Sequence, residues 1–296
     1  MKKNKYLSND SISKLDNLQI KAKKVVEGFI VGLHKSPYHG FSVEFSDHRS
    51  YEPGDEVRHI DWKLWAKTDR FFIKRYEEET NLKAHIIIDQ SASMGYSSHG
   101  MSKLEYAKIL GASFSYMLIK NQDAVGLHMF NSKIKKTIPA RSTKSHLNLI
   151  LTEMNKIQPR SQTDIAKALH KCADKTHKKG LVILISDLMD NPVKIMKGLK
   201  HLLYKGHEVL VFHILDPREI DFDFKERVRF KDMESGEEII TDPRQLKKSY
   251  QNQFNKFMNF YKENCGKNRI DYIPIQTNQS LDTALTEYLV KRQKLN

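Results

Sequence analysis

One short run constrains this chain more than any other: His85-Ile86-Ile87-Ile88-Asp89-Gln90-Ser91-Ala92-Ser93-Met94-Gly95. An apolar stretch of strand length empties into a carboxylate and two hydroxyls at alternate positions, and a turn-forming glycine closes it. The pattern reads as a buried strand running into a polar loop. Extended residues at i, i+2 and i+4 project to one side, so Asp89, Ser91 and Ser93 can turn three hard oxygens toward a single point. Oxygen donors of this kind suit an octahedral Mg²⁺ or Mn²⁺. The plainer reading is that the two serines cap the helix that follows.

Two distant stretches supply what a complete metal site would still lack. Ser161-Gln162-Thr163-Asp164 precedes a helical pattern carrying Ile165, Leu169 and Cys172, which puts Thr163 on a loop entering a helix. Gly180 to Ser186-Asp187 is a second apolar strand that ends, like the first, in a carboxylate. Asp-x-Ser-x-Ser, then Thr, then Asp, each at a strand or loop end and in that order, resembles the von Willebrand factor A domain and its metal-ion-dependent adhesion site. The resemblance implies that Ser91, Ser93 and Thr163 approach the metal, and that Asp89 and Asp187 bind it directly or through water.

From Asp89 onward strands and helices alternate. Helical patterns at about 102–120, 143–157, 163–178, 192–205, 243–265 and 280–293 are interleaved with apolar runs at 125–130, 181–186, 208–215 and 270–276. Such alternation predicts an α/β fold, a Rossmann-like, mostly parallel sheet flanked by helices. Residues 133–138, close behind 125–130, predict an antiparallel edge hairpin. With strand order 3-2-1-4-5-6, the first and fourth strands are neighbours where the order reverses, and their ends bring Asp89 and Asp187 together. Asp216, at another strand end before Pro217, reads as a cap rather than a sixth ligand. A charged insertion near 219–240 carries a hairpin turn at Ser235-Gly236.

The residues before 81 differ. Apolar positions from Ile12 to Ile30 recur at helical spacing and predict a packing helix. Both tryptophans fall in Arg49-Ser50-Tyr51-Glu52-Pro53-Gly54-Asp55-Glu56-Val57-Arg58-His59-Ile60-Asp61-Trp62-Lys63-Leu64-Trp65. Pro53-Gly54-Asp55 is a strong turn signal. Arg49, Asp55, Arg58 and Asp61 are placed either to pair into a structural ion network or to leave the two arginines free to grip a partner carboxylate. The expected division is residues 1–80, a helix and a small β-containing subdomain, and 81–296, the A-type domain. The run Arg-x-Tyr-x-Pro-Gly-Asp-x-x-Arg-x-Ile-Asp-Trp, lying ahead of an A-type Asp-x-Ser-x-Ser, is similar to the signature of the bacterial family called domain of unknown function 58. That resemblance implies a partnership with MoxR-type AAA+ ATPases, as adaptor or client-binding partner. It also marks Arg49, Tyr51, Asp55, Arg58, Asp61 and Trp62 as partner-binding or structural residues.

A formal charge of +14 permits an acidic protein, nucleic acid or anionic membrane as partner. The lysines are spread along the whole length and accompany no DNA or RNA recognition motif, which predicts a solvated basic surface and no specific nucleic acid. Acidic Asp55 and Asp61 beside the tryptophans also make a poor base-stacking platform. No apolar stretch reaches the roughly 18–20 residues that span a bilayer, and the polar residues after Met1-Lys2-Lys3 do not form a signal peptide. With Cys172 and Cys265 as reduced thiols, a cytoplasmic protein is expected, with peripheral membrane contact open.

Enzymatic readings find less support. No phosphate loop or zinc-type His spacing occurs. Ser91 lacks a nucleophile elbow, and His85 lies roughly 20 Å away along an extended chain at ~3.3 Å per residue. A metal-dependent phosphatase using Asp89 would be expected to carry a second acid where Ser91 stands. The expectation is therefore a non-enzymatic, Mg²⁺- or Mn²⁺-dependent binding module for a MoxR-type ATPase and client proteins. A metal-dependent hydrolase or a nucleic-acid-binding protein is the alternative.

Overall fold

The computed structural model describes residues 17–34, 48–51, 62–74, 82–130, 134–159, 164–176, 178–224, 228–233, 236–282 and 285–286. The chain forms two compact units, Leu33–Asn81 on its own and Met1–Gly32 together with Leu82–Asn296. The division expected from sequence is at 80/81, and the larger unit resumes at Leu82. Helix α1 (Leu18–His34), however, clusters through Gly32 with the larger unit, because Leu18, Ala22, Val25 and Val26 are buried along one face and Lys21 pairs with Glu105 at 3.0 Å.

In the smaller unit, β1 (His48–Ser50) pairs antiparallel with β2 (Phe72–Lys74), with Arg49 opposite Ile73. Helix α2 (Trp62–Thr68) lies between them in sequence. Trp65 stacks on Phe71 at 5.9 Å, Trp62 meets Trp65 edge-on at 6.0 Å, and Tyr51 lies 6.2 Å from Phe71. The indole faces are thus engaged with other rings of the same unit, although both tryptophans retain exposed surface. Asp55, Arg58 and Asp61 lie outside the described residues, so the ion network expected among them does too.

The larger unit is built on a six-stranded sheet. Its strands are β3 (Lys83–Asp89), β4 (Ala124–Phe130), β5 (Ile134–Arg141), β6 (Leu181–Ser186), β7 (Glu208–Leu215) and β10 (Asp271–Gln276), in the order β10-β7-β6-β3-β4-β5. Counted along the chain this is 3-2-1-4-5-6, the order supposed above for a doubly wound sheet. All pairings are parallel except the β4–β5 edge hairpin, as expected from the short connection between them. The uninterrupted apolar runs of β3, β6 and β7 follow from burial on both faces of a parallel sheet.

Helices cover both faces: α3 (Lys103–Lys120), α4 (Lys144–Asn155), α5 (Ile165–Lys175), α6 (Pro192–Tyr204) and α8 (Pro243–Lys267), with the short α7 (Pro217–Asp221) after β7. Their starts are written in the sequence as a capping oxygen, followed in three cases by proline at the first helical position: Asn191-Pro192, Asp216-Pro217 and Asp242-Pro243. One apolar layer packs Ile165, Leu169 and Cys172 of α5 and Ile195 and Leu199 of α6 against Val182, Leu184 and Val211 of the sheet. Cys172 and Cys265 are buried and are not joined in a disulfide. The insertion forms the hairpin of β8 (Val228–Lys231) and β9 (Glu238–Thr241), whose turn uses Gly236 at φ +78°. Most of the predicted 280–293 helix falls outside the described residues. Strand order, crossover pattern and flanking helices make the unit von Willebrand factor A-like.

Candidate functional site

Strand β3 leads to β4 and β5 on one side, whereas β6 leads to β7 and β10 on the other, so the crevice where ligands collect in such sheets lies beyond the ends of β3 and β6. Asp89 is the last residue of β3, and Asp187 directly follows β6, whose register aligns Ile88 with Ile185. Both carboxylates are fully buried. The chain leaving β3 enters a single 3₁₀ turn (Ala92–Gly95), with Ser91 at its N-cap and Ser93 within it.

Each acid is oriented by its neighbours. The Ser91 N–H donates to Asp89 Oδ1 at 2.9 Å, and Ser186 Oγ donates to Asp89 Oδ2 at 2.7 Å while accepting from the Leu188 N–H at 2.9 Å. Ser91 and Ser93 hydroxyls lie 2.9 Å apart, and Ser93 also bonds the Asp187 side chain. The serines therefore do not act as side-chain caps, since the 3₁₀ turn has no such bond and α3 is capped by Ser102. Leu188 adopts a left-handed φ of 55°, a conformation costing a branched residue on the order of 1–3 kcal/mol, and the Met189 N–H folds back onto Asp187 Oδ1 at 3.3 Å. His213 holds the other side of that turn. A backbone carbonyl can only accept, so its Nε2–H donates to Asp187 O at 2.8 Å, leaving Nδ1 to accept from the Tyr272 hydroxyl at 2.6 Å. Burial brings the imidazole down to about 4, which keeps it neutral.

Two residues missed in the sequence complete the cluster. Lys103, in the first turn of α3, is fully buried, with its ammonium 2.8 Å from Asp187 Oδ2 and 2.5 Å from Glu219 Oε1. Glu219 also closes a capping box with Asp216, accepting from its N–H at 2.9 Å. Asp216 in turn accepts from the Ser98 N–H at 2.9 Å and from the Ser98 hydroxyl. Asp216 is thus a cap, as its position before Pro217 suggested. The Asp216-x-x-Glu219 spacing was the available signal for Glu219. For Lys103 the sequence offers none, because it is one of 50 basic residues in a lysine-rich chain.

These contacts set the electrostatics. Burial, reinforced by the charge of Asp187, pushes the Asp89 carboxyl up to about 7. Burial pulls the same way on Asp187, but the Lys103 ammonium outweighs it and holds that carboxyl below the usual range. Burial opposes the charge on Lys103, yet Asp187 and Glu219 together keep it protonated. Among the described residues no three His, Cys, Asp or Glu side chains gather as a metal-holding group. The set assembled here is two carboxyl groups and two hydroxyls, hard donors that fit Mg²⁺ or Mn²⁺, and among the described residues no basic side chain pairs with Asp89, whose ionised form is therefore disfavoured. The structure brings together Asp89, Ser91, Ser93 and Asp187; Thr163 lies outside the described residues, and Asp164 beside it caps α5 through the Lys167 N–H at 2.8 Å. Beside Ser93 opens a cleft of about 330 Å³ lined by Tyr96, Met189, Glu219, Asp232 and Met233.

Comparison with known proteins places the chain. The uncharacterized protein Rv1480 of Mycobacterium tuberculosis is 26% identical over 234 residues, 77% of this chain and 73% of that protein, and the uncharacterized protein Mb1516 of Mycobacterium bovis matches to the same extent. Among solved structures, the conserved hypothetical protein BatB from Bacteroides thetaiotaomicron is 20% identical, covering 72% of this chain and 99% of that one with a TM-score of 0.49. A von Willebrand factor type A protein from Catenulispora acidiphila is 14% identical, covering 58% and 41% respectively with a TM-score of 0.36. The family model described as "Protein of unknown function DUF58" matches residues 47–258, from the Arg49 signature through the switch point and the charged insertion into α8, and this chain belongs to that family.

Proposed function

We propose that this chain is a metal-dependent protein-binding module that takes a carboxylate from a partner, and that the partner is a MoxR-type AAA+ ATPase or a client delivered to it. The observation that carries the reading is the convergence of Asp89, Ser91, Ser93 and Asp187 where the strand order reverses. These residues, with Thr163, would hold Mg²⁺ or Mn²⁺. When bound, the cation supplies a Lewis-acidic position that a partner's Asp or Glu can take.

The chain's own residues do the rest. Ser91 and Ser186 orient the Asp89 carboxylate, and the turn at Leu188 orients Asp187. Tyr96, Met189 and Met233 offer an adaptable apolar wall beside the site, suited to selecting among partner segments. The ATPase partnership rests on the likeness of the Arg49–Trp62 signature to a family with that association, and on the basic surface. We read the site as one for binding rather than catalysis, because its serines pair with each other and with acids rather than with a base.

Titration calorimetry with Mn²⁺ tests the core of this reading. The wild-type protein should bind one ion, and Asp89→Ala should lose at least tenfold in affinity. Equal affinity in the two proteins contradicts the assignment.

A further inference from the structure

Lys103 sits where a simple acidic metal site would carry no positive charge. Its ammonium is buried, within bonding distance of Asp187 and Glu219, and among the described residues no other basic side chain forms an ion pair with Asp187. Taking a lysine out of water is costly unless acids compensate it, so this placement is held by two specific partners rather than by general packing. A divalent ion held by Asp89 and Asp187 would lie within a few ångströms of that ammonium, and like charges at such a separation in a buried site repel strongly.

We propose that the Lys103 ammonium is the resting counter-ion of Asp187, that it competes with a divalent cation for that carboxylate, and that Glu219 is the acid that receives it when the cation binds. The inference rests on the metal-binding reading above and assigns the regulation of the same site. Glu219 suits the role because its two oxygens already divide their duties: Oε1 meets Lys103 and Oε2 meets the Asp216 N–H. Asp216 holds Ser98, in the loop that follows the two site serines. Movement of Lys103 from Asp187 toward Glu219 therefore reaches the rim of the site through Glu219, Asp216 and Ser98, and couples cation binding to the surface a partner would meet. Lys103 is a positioning residue in this scheme, since it is too deeply buried to touch a partner.

Mn²⁺ calorimetry and thermal melts on wild type, Lys103→Met and Glu219→Gln, with Asp89→Ala as the site control, test this. Lys103→Met removes the competitor and should bind Mn²⁺ at least tenfold more tightly, with a larger rise in melting temperature on adding Mn²⁺ than wild type shows. Glu219→Gln leaves Asp187 as the sole anionic partner of Lys103 and should weaken Mn²⁺ binding several-fold. Opposite signs for the two variants are not expected of a purely structural lysine. If Lys103→Met folds only with Mn²⁺ present, that dependence supports the proposal, and Glu219→Gln still carries the affinity test. Wild-type binding with both variants unchanged overturns this inference alone, whereas absence of Mn²⁺ binding in wild type and Lys103→Met alike overturns the metal reading with it.

Discussion

His85 and His128 face each other across β3 and β4, Nδ1 of the first 3.1 Å from Nε2 of the second, inside the sheet layer that carries the structural core. One ring donates and the other accepts, so the accepting ring must be neutral, and burial disfavours charge on either. Burial, with His207 and Lys83 adding to it, brings His85 down to about 4; burial, with His85 and Lys175 adding, brings His128 down to about 3. Between those values and the ordinary 6.5, the unfolded chain takes up protons that the folded chain refuses. Their contribution to stability is therefore complete above pH 6.5 and is lost as pH falls toward 4 and 3, by up to about 1.4 kcal/mol per pH unit for each ring. Urea unfolding at pH 7 and pH 5 should show this drop, and His128→Gln should flatten it; a variant with the wild-type slope would remove His128 from the account.

At the scale of elements, the close approach of α5 and α6 is set by Gly198. A methyl group there would lie 2.8 Å from Leu169 Cβ and 3.2 Å from the Ala166 carbonyl, neither of which can swing aside. Gly198→Ala should destabilise by about 1–3 kcal/mol even though alanine is the better helix former. Gly266, near the end of α8, meets nothing within 4 Å, so Gly266→Ala should stabilise by up to about 1 kcal/mol, and equilibrium denaturation of the pair separates crowding from propensity. These elements were largely legible in the sequence because strand runs such as Ile86–Ile88 and Leu181–Ile185 are continuously apolar, and because Asn191-Pro192 and Asp242-Pro243 mark helix starts by their own chemistry. The strand order is supposed from the doubly wound pattern rather than derived, and the observed pairings match it. Lys103 did not follow from any rule, since a buried lysine is defined by the acids that the fold brings to it from 84 and 116 residues away. The sequence reading puts Glu219 in a charged insertion, whereas it lies within α7, the helical turn before the β8–β9 hairpin.

For the whole molecule, the charge of +14 and the buried site predict separable kinetics with an acidic partner. Rising salt should lower chiefly the association rate, because long-range attraction between surface charges is screened over about 10 Å at 0.1 M. EDTA or Asp187→Ala should raise chiefly the dissociation rate, because the contact they remove is short-ranged. Surface plasmon resonance against a MoxR-type ATPase measures both, and unchanged dissociation in Asp187→Ala would place the interface elsewhere. Among the described residues no helix is long and apolar enough to cross a membrane. The bond from Ser186 to Asp89 joins positions 97 apart in the chain, at the junction of the two central strands. During synthesis, a chain that has emerged only to residue 180 already displays Asp89, Ser91 and Ser93, yet the strand that shelters them is still inside the ribosome. A cation held by both acids would have to wait for that long-range pairing, and its binding would then report that β3 and β6 have come together.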